Sequence, residues 1–159
     1  MTAPRPLLLC VGVVVALGAA DAAAAKLVPQ RGMAGVTLGI SRVQARAVLG
    51  APSRTIHGTN EFGVYTELRY AGRALRLVFQ GNGGLTAIST TGRRERTRTG
   101  VGVGSTEAQV KHGVPGARCT GTGTERHCFL GTFSAGKRVT DFRLTGGRVT
   151  RVVVGFVID

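Results

Sequence analysis

Residues 35–44 read GVTLGISRVQ, and residues 100–109 read GVGVGSTEAQ. Both stretches follow one template, in which Gly, Val, an aliphatic residue, Gly, a Ser or Thr and a Gln recur at the same spacing. The offset between them is 65 residues, and LTAI at 85–88 matches VTRV at 149–152 with an offset of 64. The sequence therefore predicts two copies of one small unit.

Each copy contains the signature of a helix N-terminus. Ser41 is followed three residues later by Gln44, and Thr106 by Gln109, which is the spacing of a capping box. We therefore expect one helix to begin at Arg42 and a second, weaker one to begin just after Thr106.

The two helices are expected to be short, because a glycine ends each of them and a proline follows two residues later. The spacing of Ile40, Val43 and Ala47 predicts that these side chains form the buried face of the first helix. In the second helix, Ala108 and Val110 supply the apolar side. Helices of this length need a surface to pack on.

Alternating apolar and polar residues follow each helix, which is typical of antiparallel strands with one buried face. The segment around His57, Gly58 and Asn60 is expected to be a loop. The predicted strands are residues 64–70, 75–79 and 85–91 in the first copy and 126–133, 138–144 and 148–158 in the second. The predicted fold class is α+β, with two tandem repeats, each a short helix packed on an antiparallel β-meander of three or four strands. The valine-rich last strand is expected to be central.

The chain divides into a signal peptide (1–25), a leader segment (26–34), repeat 1 (35–91), a basic junction (92–99) and repeat 2 (100–159). Arg5 precedes an apolar run at 7–17, which is shorter than the roughly 20 residues that a membrane span needs. Signal cleavage is expected after Ala25 or, alternatively, after Ala22. Cys10 lies inside the apolar run, where lipidation is not expected. We therefore expect a secreted or cell-envelope-associated protein without a transmembrane segment after cleavage.

Cys119 and Cys128 are the two cysteines outside the signal segment. An even number of cysteines in an exported chain predicts a disulfide, and two inert thiols are the alternative. His127 adjoins Cys128, but the spacing of these three residues fits no structural zinc site. No metal and no cofactor are expected.

The chain is strongly basic, with a formal net charge of +13 and 18 arginines among its 21 basic residues. Arginine suits bidentate contacts with carboxylates and phosphates. In an exported protein this charge indicates an anionic envelope component or an acidic protein as the partner, and it disfavours nucleic acid. An arginine-rich surface that is merely solvated is the alternative.

The basic junction holds four arginines and no apolar residue. Arg93, Arg94, Arg96 and Arg98 are therefore the candidate anion-binding residues. The junction is either a docking strip for an anion or a solvated linker or polar edge strand whose charges discourage edge-to-edge strand pairing. The sequence favours the linker.

No pattern of catalytic residues accompanies the two copies. Residues 131–137 match the first seven positions of a phosphate-binding loop, but Arg138 stands where the motif needs Ser or Thr, and strands are expected on both sides. Most carboxylates are expected in loops or on outward strand faces. No nucleophile-elbow pattern marks any serine, and His57, His112 and His127 are expected to be solvent-facing or structural. The sequence predicts that the protein is not an enzyme, with a small secreted hydrolase as an alternative.

In the first copy, the expected helix is preceded by Gly35, Val36, Thr37 and Ser41, ends in LGAP at 49–52 and is followed by a meander. This arrangement resembles the SmpA/OmlA (BamE-like) family of bacterial envelope proteins. Two such units in tandem resemble the β-lactamase inhibitor protein, which implies a shared concave surface. The BamE-like proteins are lipoproteins of outer-membrane barrel assembly, whereas this chain has no lipidation site. The inhibitor has an aromatic-rich face and an acidic hairpin, whereas this chain is basic with 5% aromatic residues.

The resemblance therefore implies the fold and not an activity. The expected function is that of an exported, non-catalytic binding or envelope-associated module with a basic surface. A secreted proteinaceous inhibitor of an enzyme is the second interpretation.

Overall fold

The computed structural model describes residues 26–158, so the expected signal peptide and its cleavage sites lie outside the described residues. The fold is mixed α and β, as predicted, with more strand than helix. The two helices are α1 (Arg42–Leu49) and α2 (Glu107–Gly113). Within residues 26–158, no helix has the length and apolar character needed to cross a membrane.

The strands form two antiparallel sheets. The smaller sheet consists of β1 (Leu27–Val28), β2 (Gly32–Met33) and β3 (Val36–Thr37). The larger sheet consists of β4 (Arg54–Asn60), β5 (Gly63–Tyr70), β6 (Leu75–Gln80), β7 (Leu85–Thr90), β8 (Arg118–Thr120), β9 (His127–Gly131), β10 (Arg138–Thr145) and β11 (Arg148–Phe156). Its order in space is β4-β5-β6-β7-β11-β10-β9-β8, so the last strand is central, as predicted.

Local hydrogen bonds explain where the helices begin. The backbone N–H of Gln44 donates to Oγ of Ser41 at 3.2 Å, and the N–H of Ser41 donates to Oε1 of Gln44 at 2.9 Å. Thr106 and Gln109 make the same two bonds at 3.2 and 2.8 Å. Both predicted capping boxes are therefore confirmed. α1 ends at Gly50, whose φ of 83° favours glycine over other residues.

The buried face of α1 differs from the prediction. Ala45 and Leu49 are buried, whereas Val43 is 78% exposed and Ala47 is also exposed. Ile40 is partly buried against the core, as predicted. The prediction was wrong for Val43 and Ala47, because a helix of two turns offers more than one apolar stripe and packing on the sheet selects among them. α2 buries Val110, as predicted, but leaves its other apolar residue exposed.

Polar contacts attach α1 to the sheet. Oη of Tyr70 on β5 donates to the carbonyl of Gly50 at 3.3 Å, and Nη1 of Arg42 donates to Oγ1 of Thr66 at 3.0 Å. Burial raises the pKa of Tyr70, against the opposing effect of nearby arginines. The helix is therefore held to the sheet at both of its ends.

Strand β4 is a second correction, because the sequence predicts a loop at this place. The strand lies at one edge of the large sheet, and all seven of its residues are partly buried or exposed. Ile56 is its only apolar residue. An edge strand with so little to bury leaves almost no hydrophobic pattern in the sequence.

The core lies between the helices and one face of the large sheet. Phe79 on β6 and Phe142 on β10 are its largest fully buried side chains, one in each half of the sheet. The small sheet adds Leu27 and Met33 to the same apolar cluster. Because the core occupies only one face of the large sheet, the alternate side chains of each strand point to the opposite face.

Candidate functional site

The face of the large sheet opposite the helices carries a row of paired residues that crosses all eight strands. On β5, β6, β7, β9, β10 and β11 its positions alternate with buried residues of the core, such as Leu68 and Leu77. From the β4 edge to the β8 edge, the register aligns Arg54, Arg69, Arg76, Ser89, Val153, Asp141, Phe129 and Arg118. Half of the row is arginine.

A second row on the same face begins at the central strand. Arg151 on β11 pairs with Arg143 on β10, which pairs with His127 on β9. The two rows together present six arginines, all of them exposed: Arg54, Arg69, Arg76, Arg118, Arg143 and Arg151. We call the surface formed by these two rows, together with the carboxylates that pair with their arginines, the open face. None of the six was a predicted site residue, because their alignment depends on the pairing of β7 with β11.

Glu67 is a carboxylate of the open face that is only 2% exposed. Its Oε2 lies 2.5 Å from Nη2 of Arg76, and its Oε1 accepts a hydrogen bond from Nε of Arg69. Burial raises the pKa of Glu67, but the hydrogen bonds and charges of Arg76 and Arg69 outweigh burial and lower the pKa overall. The carboxylate therefore stays ionised and holds two guanidinium groups side by side.

Asp141 is the corresponding carboxylate of the other half and is 6% exposed. Its Oδ2 accepts a hydrogen bond from Nε of Arg143 at 3.0 Å, and its Oδ1 lies 2.8 Å from Nδ1 of His127. The sequence predicts that most carboxylates lie in loops or on outward strand faces. Glu67 and Asp141 do lie on the face away from the core, but neighbouring side chains cover both of them. The arginine side chains that bind them also shield them from solvent.

The hydrogen bond between Nδ1 of His127 and Oδ1 of Asp141 is of the kind that histidine and aspartate make in a catalytic triad. A nucleophile would need a hydroxyl within hydrogen-bond distance of the other ring nitrogen, Nε2. Among residues 26–158, the ring makes a side-chain hydrogen bond to Asp141 alone. The described part of the chain therefore supplies an acid and a base without an attached nucleophile.

Aromatic rings lie at the β8 end of the open face. Phe129 and Phe133 pack against the ring of His127, with centroid distances of 5.5 and 6.0 Å. The guanidinium carbon of Arg118 lies 5.1 Å from the centroid of Phe129, a cation–π arrangement. Phe133, in the loop after β9, is 53% exposed. This end of the open face therefore combines positive charge with apolar contact area.

Cys119 and Cys128 form the predicted disulfide, with a Cα–Cα distance of 3.9 Å. The two residues face each other on β8 and β9. A carboxylate oxygen of Glu107 and the two sulfurs lie within 4.8 Å of one another. The disulfide leaves neither sulfur as a thiolate ligand, so this group of atoms is a poor metal site.

Glu107 is part of an ion-pair cluster that connects α2 to the strand region. It accepts hydrogen bonds from Nε and Nη2 of Arg126 at 2.9 and 2.6 Å, and Nζ of Lys111 lies 2.7 Å away. The hydrogen bonds from Arg126 and Lys111 lower the pKa of Glu107 to about 2. The cluster fixes the position of α2 and is not free for a ligand.

The basic junction is packed against the protein and is not a fully solvated linker. Glu95 and Thr97 are buried within it, and the N–H of Thr97 donates to the carbonyl of Val101 at 2.8 Å. Arg94 and Arg98 remain exposed. The sequence favoured the linker because it reveals the charges of the segment but not the backbone pairing that folds it back.

The four candidate anion-binding arginines are not brought together as a group. Arg93 and Arg96 reach a cavity of ≈ 430 Å³, which Arg94 and Arg98 do not line. The third arginine of this cavity is Arg148, at the start of β11. Its position far along the chain explains why the sequence did not identify it.

No family model and no curated protein matches this sequence. An extracellular protein containing an SCP domain from Bacillus anthracis str. Ames has a similar fold, with a TM-score of 0.53 and 10% identity over 75% of this chain and 44% of that one. This chain thus spans less than half of that protein. A DUF4309 family protein from Bacillus subtilis subsp. subtilis str. 168 gives a TM-score of 0.46 and 16% identity over 83% of this chain and 88% of that one. The first likeness shows a shared fold alone.

Proposed function

We propose that this protein is an exported, non-catalytic binding module whose open face binds an acidic surface of a partner protein. The observation that carries the proposal is the alignment of six exposed arginines in two rows on one face of the sheet. The longer row makes seven steps between strands of about 4.8 Å each and is therefore about 34 Å long. That length suits a standard interface, which buries about 800 Å² on each partner.

The charge of the open face favours an anionic partner. Among residues 26–158, the carboxylates that pair with these six guanidinium groups are Glu67 and Asp141, and both carboxylates are covered. They orient the arginines without presenting negative charge to the outside. A surface of this kind steers an acidic partner into contact and suppresses basic ones.

The residues between the arginines favour a protein over a flexible polymer. Phe129 and Phe133 accompany Arg118 at one end of the open face, and aromatic residues with arginine are the groups enriched at protein–protein interfaces. A polyanion would use the charges alone. The aromatic end supplies the apolar contacts that a folded partner can match.

Export is part of the same proposal. It is supported by the expected signal segment and by the Cys119–Cys128 disulfide, since disulfides persist in oxidising compartments outside the cytoplasm. We also propose that the chain consists of two tandem repeats related to the SmpA/OmlA family. Each helix precedes four antiparallel strands, and the two meanders meet where β7 pairs with β11.

A secreted enzyme inhibitor is the second candidate. The exposed ring of Phe133, packed against Phe129, favours it, because an exposed aromatic side chain can fill the substrate pocket of an enzyme. An inhibitor is distinguished from other binding modules by its effect on the partner, which must lose activity in proportion to the protein bound.

The charge-driven part of the proposal is tested with poly-L-glutamate as an immobilised probe. The variant Arg54→Glu/Arg151→Glu reverses two charges of the open face, and Arg46→Glu/Arg94→Glu reverses two exposed charges elsewhere. We expect the first variant to elute at much lower salt than the wild type and the second to elute close to it, because surface attraction is screened by salt. Equal shifts in the two variants would show that only net charge matters and would overturn the proposal.

A further inference from the structure

Positive charge also converges in the cavity beside the basic junction. Arg93 and Arg96 line it from the junction, and Arg148 lines it from the first residue of β11. None of its lining residues belongs to the open face. The cavity is therefore a second location, separate from the one on which the proposed function rests.

Two of the three guanidinium groups are held in place by backbone carbonyls. Nη1 of Arg96 donates to Gly100 at 2.7 Å, and Nη2 donates to Val103 at 3.0 Å. Nη1 of Arg148 donates to the carbonyl of Gly104 at 3.0 Å. A carbonyl orients a guanidinium without neutralising it, and each group keeps N–H donors for a further acceptor.

The third guanidinium, that of Arg93, makes no hydrogen bond and no ion pair with any residue among 26–158. It lies against the backbone of Gly104, where an added Cβ would meet its Nε at 3.7 Å and its Cζ at 3.9 Å. Gly104 has a φ of 92°, so a side chain there would also strain the backbone. The guanidinium of Arg93 therefore lies beside Gly104, whose carbonyl accepts the hydrogen bond from Arg148.

Neutral hydrogen-bond donors complete the lining. Oγ of Ser105, a buried residue, accepts a hydrogen bond from the N–H of Gly102 at 3.1 Å, which leaves its own O–H to donate. Oε1 of Gln109 is used in the capping box, which leaves its amide NH₂ to donate. The described residues that line the cavity include no carboxylate. The site thus offers three cations and two neutral donors.

We propose that this cavity binds a phosphate group, either as free phosphate or as a phosphate monoester. A tetrahedral dianion has enough acceptor oxygens for several guanidinium groups, and arginine binds phosphate with two parallel hydrogen bonds. The volume of ≈ 430 Å³ exceeds what phosphate alone needs. A neighbouring cavity of ≈ 280 Å³ shares Gly100, Ser105 and Gln109 and adds Val101 and His112, which leaves room for an organic substituent.

The test is calorimetric titration of the purified exported protein with sodium phosphate and, separately, with glycerol phosphate, in chloride buffer of matched ionic strength. Arg93→Gln is the informative variant, because Arg93 has no structural bond to lose. Arg94→Gln is its matched control, with the same loss of charge one residue away and outside the cavity. We expect Arg93→Gln to weaken binding about ten-fold and Arg94→Gln to change it less than about two-fold.

Arg148→Gln is a second variant and should also weaken binding, with a melting curve to verify that it folds. Tighter binding of the ester would identify esters as the ligand, and equal binding would identify free phosphate. Absence of binding above the chloride background, or equal weakening by Arg93→Gln and Arg94→Gln, would overturn the proposal. The variant Arg54→Glu/Arg151→Glu should keep its phosphate affinity, so failure here is distinguishable from failure of the open-face proposal.

Discussion

The two ends of the large sheet are stabilised in different ways. At one end, β4 and β5 pair at seven positions and have no covalent link. At the other end, β8 and β9 pair at only three positions, one of which is the Cys119–Cys128 disulfide. We infer that the disulfide compensates for the short pairing between β8 and β9 at this end of the sheet.

The two carboxylates of the open face, one in each half of the sheet, also differ in their partners. Glu67 binds two arginines, whereas Asp141 binds one arginine and His127, against which the aromatic rings pack. The first half therefore contributes mainly concentrated positive charge. The second half contributes charge together with apolar contact area, and the two halves are expected to make different contributions to binding and to stability.

The largest effect is expected at the disulfide. Replacing both cysteines, in Cys119→Ser/Cys128→Ser, should lower the free energy of unfolding by about 2–3 kcal/mol, because the unfolded chain regains the freedom of the closed loop. The measurement is denaturant unfolding with and without a reducing agent. The reducing agent should destabilise the wild type and leave the double variant unchanged, and a variant as stable as the oxidised wild type would contradict the role given to the disulfide.

A smaller effect is expected from the buried carboxylates. Glu67→Gln should lower the free energy of unfolding by about 1–3 kcal/mol, because it leaves two arginines adjacent without a counter-charge. Asp141→Asn should lower the free energy of unfolding by less than Glu67→Gln does, because only one arginine loses its partner. Both variants are compared by thermal and denaturant unfolding at neutral pH. Greater destabilisation by Asp141→Asn than by Glu67→Gln would contradict the expected difference between the two halves of the sheet.

The smallest effect is a pH dependence at α2. The pKa of Glu107 is lowered from an ordinary 4.5 to about 2 by the hydrogen bonds from Arg126 and Lys111. A carboxylate with a lowered folded-state pKa stabilises the fold above its unfolded pKa, and this contribution is lost as the pH falls toward the folded value. The wild type should therefore exceed Glu107→Gln in stability at pH 7 and lose that advantage between about pH 5 and pH 2. Parallel stability curves for the two proteins would refute this assignment.

The features that the sequence predicted well are those that depend on neighbouring residues. The capping boxes at Ser41 and Thr106 need only a partner three residues away, and both are formed. Strands with a strong apolar pattern, such as β10, were placed within one residue of their observed bounds. Local chemistry therefore predicts where elements begin and what type they are.

The features that the sequence missed depend on contacts between distant segments. β4 had no apolar pattern to reveal it, and the buried face of α1 was selected by the sheet. The open face exists because β11 pairs with β7, and no short-range signal encodes that pairing. The phosphate cavity likewise needs Arg148 beside Arg93, although the two are far apart in the chain. Among the predicted junction arginines, only Arg93 and Arg96 line it.

The most direct test of the open face uses the natural partner. Wild type, Arg54→Glu/Arg151→Glu and Arg46→Glu/Arg94→Glu are immobilised and exposed to the cell-envelope and extracellular fractions of the organism that makes the protein, and captured proteins are quantified by mass spectrometry. We expect an acidic protein that binds the wild type and the Arg46/Arg94 variant and is lost from the Arg54/Arg151 variant. Capture that the Arg54/Arg151 variant retains, or that both variants lose equally, would contradict this expectation.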